Sequence, residues 1–272
     1  MSLPEWRLPA GVPRGVWDYT RSGQIAERYD AYHGDNPLFG FEAGVLRAAF
    51  GPAPPDRAGV VADLGCGSGR ALVPLVRQGW RGLAIDLSPA MLDVVRRKAQ
   101  AEGLPIDCVE ANLVELTADL VPDQAADHAM CLFSTLGMIR GSENRRAALG
   151  HMRRILKPGG RLVLHAHNFW NNLRDPGGPG WALRSLARGA VGRGGYETGD
   201  RTFPYRGVPN FFVHAYRARE LRADLRWANF RVARWVPLGA AIDPARRHAL
   251  PRPWLLPSLR ATGWLVVCRR EG

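Results

Sequence analysis

A chain of 272 residues with 46% hydrophobic residues can bury the core of one large domain, and no stretch is long and apolar enough to span a bilayer. The four cysteines stand singly with no Cys-x-x-Cys, which argues against a disulfide framework or a structural zinc and for a reduced, cytoplasmic protein. The formal net charge of +12 is nearly all arginine, since Lys98 and Lys157 are the only lysines, and it favours anionic partners: RNA, an acidic substrate or a membrane surface.

Met1–Thr20 is rich in Pro and Gly, lacks the apolar core of a signal peptide, and is expected to wind over the surface. Arg21–Tyr32 has helical spacing, with Ile25, Tyr29 and Tyr32 near one face. Leu38–Phe50 predicts a second helix, before the loop Gly51–Pro55. Residues 1–58 therefore read as an N-terminal helical cover.

Val60–Leu64 is a short apolar run interrupted by Asp63, and Gly65, Gly67 and Gly69 follow at alternate positions. The run suits a buried parallel strand. The glycines let the chain turn sharply and approach a ligand closely. Ala71–Val76 reads as the helix after the turn, with Pro74 tolerable near its start. A dinucleotide fingerprint, G-x-G-x-x-G, would end in a small residue. Arg70 stands there instead, and Gly69 comes one place early. Asp63 suits a cationic ligand better than a pyrophosphate.

The stretch Asp63–Gly69 resembles the first motif, (V/L)-L-D-x-G-C-G-x-G, of the class I S-adenosylmethionine-dependent methyltransferases, and matches it at every fixed position. The resemblance implies S-adenosyl-L-methionine as cofactor and Asp63, Gly65, Cys66, Gly67 and Gly69 among its contacts. It also implies a role for Tyr29, because Ala26–Asp30 is similar to a tyrosine-aspartate element in the helices that fold over the cofactor in this family.

Gly82–Asp86 reads as the second strand, ending in an acid where nucleotide-binding sheets contact the ribose hydroxyls; Leu87 lies beside it. Ser88 caps the next helix, Pro89 opens it, and Gly103 ends it. Ile106–Asn112 is the third strand and its exit, followed by Leu113. The resembled enzymes usually carry Asp at Asn112, contacting the adenine amino group, and the Asn carbonyl oxygen can accept the same bond. Asp127–Phe133 is the fourth strand. It leads to Ser134–Gly137, where the family lines its methyl-transfer channel, and Phe133 is expected beside the adenine or the sulfonium. Glu143–Leu156 predicts a helix capped by Ser142. Leu156–Gly160 resembles the family's second signature, a turn before the strand Arg161–Ala166.

Arg174–Pro209 is dominated by Gly, Pro and Arg and reads as an insertion over the active-site mouth, with a short helix near Trp181–Arg188. Asn210–His214 suggests a short strand and Ala218–Ala228 the last helix. Phe230–Pro237 and Trp264–Arg269 read as terminal antiparallel strands flanking the Arg- and Pro-rich stretch Ile242–Leu259. The expected fold is α/β: a doubly wound, mostly parallel seven-stranded sheet with a C-terminal antiparallel hairpin, an N-terminal cover and lid-like insertions. The expected division is cover 1–58, cofactor-binding core 59–170, basic insertion 171–209, and the rest of the same sheet 210–272.

The resemblance specifies the cofactor but not the acceptor. His167, just past the fifth strand, is the best-placed general base, and His165 shares its face two residues earlier. Asn168, Asn171 and Asn172 add polar groups that could orient an acceptor. No metal site is expected, and the oligomeric state is open. Three readings follow: a methyltransferase for a small-molecule acceptor, a tRNA or other RNA methyltransferase using the basic insertions, and a non-catalytic S-adenosylmethionine-binding protein.

Overall fold

The computed structural model describes residues 3–34, 36–191, 195–239 and 261–272, so the stretch Ile242–Leu259 lies outside the described residues. The strands Val60–Leu64 (β1), Arg81–Asp86 (β2), Ile106–Glu110 (β3), Ala126–Cys131 (β4) and Leu156–His167 (β5) pair in parallel. β9 (Gly263–Arg270) joins β5 antiparallel, and β8 (Phe230–Pro237) joins β9 antiparallel. The seven-stranded order is β3-β2-β1-β4-β5-β9-β8. Strand order reverses between β1 and β4, so the chains leaving their carboxyl ends diverge and open a crevice there.

Both faces of the sheet are covered. On one face α3 (Pro37–Phe50), α4 (Leu72–Val76) and α5 (Pro89–Glu102) set Leu46, Leu72 and Leu92 against Val61, Ala84 and Met130. On the other, α6 (Ser142–Ile155) and α8 (Ala218–Trp227) set Leu149, Met152 and Leu221 against Ala62, Leu64 and Leu162. Truncating one such leucine to alanine costs about 2–5 kcal/mol. The caps of α5 are those the sequence predicts: Ser88 Oγ accepts from Met91 N at 3.3 Å, and Gly103 adopts φ +63° at the far end. The cap of α6 is not. Ser142 is the first helical residue, and its N–H donates to Glu197 Oε1 at 2.6 Å, a carboxylate supplied from far along the chain.

The N-terminal segment departs from expectation. Arg14–Thr20 is a helix (α1) rather than a surface coil, followed by α2 (Gly23–His33). Residues 171–209 are likewise ordered where described. They hold α7 (Gly178–Val191) and the strand β6 (Asp200–Tyr205), which pairs antiparallel with β7 (Val208–His214). Pro204 hid β6 from the sequence reading; it is tolerated because it lies at the register break between Phe203 and Tyr205 in a two-stranded ribbon. α1 lies flush on β7, so close that a Cβ on Gly15 would stand 1.9 Å from Asn210 O. Val16, Ile25 and Tyr29 from the helices and Phe211, Phe212 and Val213 from β7 form a third apolar cluster, roofing the crevice. No helix among the described residues is long and apolar enough to cross a membrane.

Candidate functional site

A cavity of about 360 Å³ fills the crevice beyond β1, β2 and β4. Its floor is the glycine loop, and its walls come from α1, α2 and the β6–β7 hairpin. Asp63, Gly65, Cys66, Gly67, Asp86 and Leu87 line it, as do Asn112, Leu113, Phe133 and Tyr29. Ten of the eleven residues expected to meet a cofactor thus border one space. Gly69 does not: at φ +74°, a Cβ there would press on Val95 of α5 at 3.1 Å, so this glycine serves helix packing.

The loop's hydrogen bonds decide what kind of ligand it suits. Gly65 N and Cys66 N donate to Ile85 O at 2.7 and 3.1 Å, and Gly69 N donates to Cys66 O at 3.0 Å. Gly67 N donates to Asp86 Oδ2 at 2.8 Å, while Asp86 Oδ1 accepts from Ser88 N at 2.8 Å. With these N–H groups engaged and two carboxylates beside them, the loop is no phosphate cradle. Burial pushes the Asp63 carboxyl up to about 7, although the nearby Arg70 guanidinium opposes the rise. Burial also raises Asp86, against N–H donors at Ser88, Gly67 and Leu87. A cation placed at Asp63 would restore its charge. Asn112 donates from Nδ2 to Ala10 O at 2.9 Å and Glu115 Oε2 at 2.8 Å, and Oδ1 accepts from Val114 N at 3.2 Å. One lone pair of that carbonyl oxygen is left for a ligand donor.

The cover is tied to the loop by charges. Asp30 of α2 accepts from Ser68 Oγ at 2.5 Å and from Lys98 Nζ at 2.6 Å, and Lys98 also donates to Ser68 O at 2.8 Å. Arg70 projects from the loop over the Phe39 ring at 3.6 Å and pairs with the buried Glu42 at 2.7 Å. The other Glu42 oxygen lies 3.5 Å from His165 Nδ1. Asp30 belongs to the tyrosine-aspartate element noted in the sequence, whereas Glu42 and the Arg70 contacts escaped the sequence reading because they join elements far apart in the chain. Tyr19, Phe203 and Phe211 also line the cavity and escaped it for the same reason.

A second cavity of about 380 Å³ adjoins the first. Phe133, His167, Phe203 and Val213 border both, so the two cavities meet at these side chains. Phe133 and Ser134 hold φ +52° and +63°, an uncommon left-handed pair for residues with side chains. The two histidines share a face as expected, with ring centres 5.3 Å apart, but they meet different surroundings. His165 is buried against Glu42, whereas His167 is exposed to the cavities. Enclosure by protein and the neighbouring His165 hold the His167 pKa down to about 3. Its imidazole is therefore neutral at pH 7. Asn168 lines the second cavity while buried, with Oδ1 accepting from Trp170 N at 3.1 Å and Nδ2 donating to Ala261 O at 2.8 Å. Asn172 Oδ1 accepts from Arg201, and Asn171 lines the second cavity.

Away from the crevice, Glu197, Asp200 and His214 bring ligand-type atoms within 4.8 Å of one another. His214 Nδ1 lies 2.8 Å from Asp200 Oδ1, and Nε2 lies 2.8 Å from Glu220 Oε1. Against the burial that lowers it, these carboxylates raise the His214 pKa. Arg145, fully buried, pairs with Glu197 at 2.5 Å. The cluster is an ion-pair network joining α6, β6, β7 and α8.

Residues 61–160 match the family model described as a methyltransferase domain, and this sheet, with a glycine loop after β1 and an acid ending β2, has the fold of the class I S-adenosylmethionine-dependent methyltransferases. The cofactor of that family is S-adenosyl-L-methionine, and the acid-flanked loop and apolar walls fit it. The chain is 34% identical over 145 residues to a demethylmenaquinone methyltransferase of Thermus thermophilus, covering 52% of this chain and 61% of the relative. The chain spans about half the length of the curated relatives it matches. Among solved structures it is similar to the CcbJ methyltransferase of Streptomyces caelestis, at TM-score 0.63 and 19% identity, over 93% of this chain and 99% of the other. It is also similar to the 1,6-didemethyltoxoflavin-N1-methyltransferase of Burkholderia thailandensis, at TM-score 0.59 and 18% identity, over 97% of this chain and 93% of the other.

Proposed function

We propose that the chain transfers a methyl group from S-adenosyl-L-methionine to a small-molecule acceptor held in the second cavity. The observation that carries this reading is the junction of two comparable cavities at Phe133, His167, Phe203 and Val213. The names of the matched relatives support a small acceptor, since they include demethylmenaquinone and ubiquinone-biosynthesis methyltransferases. The cofactor supplies a methyl group on a cationic sulfonium. Asp63 and Asp86 would face its positive and ribose ends, Asn112 its amino group, and Leu87, Leu113 and Phe133 its apolar surface. Tyr29, Cys66 and the backbone at Gly65 and Gly67 would close around it. α1, α2 and the β6–β7 hairpin roof the first cavity with apolar side chains, which favours a transfer that depends on position and charge.

His167 acts in this reading as a neutral imidazole that orients the acceptor atom. A basicity as low as its pKa implies suits an acceptor that loses its proton readily. His165, braced by Glu42, supports His167 from below. The test supplies methyl-labelled cofactor together with a small-molecule extract and, separately, total RNA. Label in the low-mass fraction is the expected result. Label in RNA would transfer the site to the RNA reading, and binding of cofactor with no label in either fraction would favour the non-catalytic one.

A further inference from the structure

A third cavity, of about 650 Å³, lies between α7 and the β6–β7 hairpin, and its lining is unlike the other two. Arg140, Arg184, Arg188 and Arg201 all border it, with Asp200 as the single acid among its described lining residues. Asp200 is already committed to His214 at 2.8 Å and to Glu197 N at 3.0 Å. Arg201 is committed to Asp175 at 2.6 Å. Arg140, Arg184 and Arg188 have no carboxylate partner among the described residues.

Three of these guanidinium groups are braced by rings of the same wall. Arg140 Cζ lies 4.9 Å from the Phe212 ring centre, Arg188 Cζ 5.7 Å from Tyr196, and Arg201 Cζ 5.5 Å from Trp181. The braces are themselves fixed. Tyr196 Oη lies 3.1 Å from Ser185 Oγ and 2.9 Å from Asp200 O. α7 meets the following loop so closely that a Cβ on Gly189 would stand 1.9 Å from Thr198 Oγ1. Like charges gathered around one concavity repel each other unless an anion enters. Guanidinium groups offer that anion paired donors in a fixed plane.

We propose that this arginine-lined cavity is a second ligand site, which binds a small phosphorylated compound through Arg140, Arg184 and Arg188. Arg140, Arg184 and Arg188 are exposed at its mouth, and its capacity and aromatic wall favour a small molecule over a nucleic-acid strand. Arg201 and its partner Asp175 both border the second cavity as well, so a bound anion would sit one side chain away from the acceptor space.

The test titrates inorganic pyrophosphate into the full chain, alone and with S-adenosylhomocysteine present, by calorimetry. One variant carries Arg140→Gln, Arg184→Gln and Arg188→Gln. A charge-matched control carries Arg47→Gln, Arg97→Gln and Arg226→Gln, three exposed arginines elsewhere. Wild type and control should bind pyrophosphate alike, and the pocket variant at least about tenfold more weakly. Unchanged melting temperature shows that the pocket variant is folded, and its titration with S-adenosylhomocysteine reports the cofactor reading separately. The proposal fails if wild type does not bind millimolar pyrophosphate, or if the control loses as much affinity as the pocket variant. It fails equally if short single-stranded RNA binds far more tightly than pyrophosphate and loses its binding in the pocket variant.

Discussion

Lys98 Nζ and Asp30 Oδ2 meet at 2.6 Å, joining α5 to the cover helix α2 directly over the glycine loop. Ser68 of the loop completes the junction by bonding Asp30 through its hydroxyl and Lys98 through its carbonyl. Cover, loop and sheet are thereby one charged joint. The pair is partly exposed, so its net worth is about 0.5–1 kcal/mol rather than that of a buried pair. Asp30→Ala should weaken S-adenosylhomocysteine binding about twofold to fivefold. Its melting temperature should fall little. Equal affinity in the variant would show that the cover does not help to hold the cofactor.

The Asp63 carboxyl, pushed up to about 7, makes ligand binding depend on pH. An ammonium- or sulfonium-bearing ligand requires the ionised acid, so affinity should rise as pH increases toward and past 7, with a proton released on binding. Calorimetry in buffers of different ionisation heat measures that proton. Without ligand the sign is opposite. The folded chain keeps the Asp63 proton above the group's ordinary value of 3.8, and the stability this gives is lost as pH rises from about 4 through 7. Asp63→Asn should flatten the pH dependence and abolish proton release. A proton release unchanged in Asp63→Asn would assign the titration elsewhere.

How much of this site was legible in the sequence depended on distance along the chain. Asp63, the glycines, Asp86 and Asn112 fall at the ends of short apolar strands, so a local pattern places them on one edge. Ser88, Pro89 and Gly103 marked α5 by the same local chemistry. The roof was not legible. α1 is preceded by Gly11 and Pro13, and β6 carries Pro204, so both read as coil until β7 gives them a surface to pack on. Glu42 looks like any polar residue on a helix; only Arg70 and His165, brought from the loop and β5, explain its burial. His167 shows the limit most clearly: the sequence put it just past the fifth strand, but its low basicity comes from enclosure that no local pattern records.

His214 predicts a second pH effect, in the other direction from an acid's. Its raised pKa means that the folded chain holds the imidazolium above the ordinary value of 6.5. The stability it contributes is complete below pH 6.5 and is lost as pH rises through the higher folded value. His214→Ala leaves Asp200 and Glu220 without their shared donor, and breaking a buried pair of this kind costs about 3–5 kcal/mol. Denaturant unfolding at pH 6 and pH 9 should show a large gap between wild type and variant at pH 6 and a smaller one at pH 9. A gap that does not narrow would mean that His214 is neutral in the folded chain.

The most direct measurement is calorimetric titration of S-adenosylhomocysteine into wild type and Asp86→Ala. Asp86 is the acid that both orders the loop, through Gly67 N at 2.8 Å, and faces the cavity. Loss of a charged hydrogen bond to the ribose is worth about 1.5–3 kcal/mol, or roughly tenfold to a hundredfold in affinity. The account predicts saturable one-to-one binding by wild type and a loss of that size in a folded Asp86→Ala chain. No binding by wild type, or equal affinity in the two proteins, would contradict it.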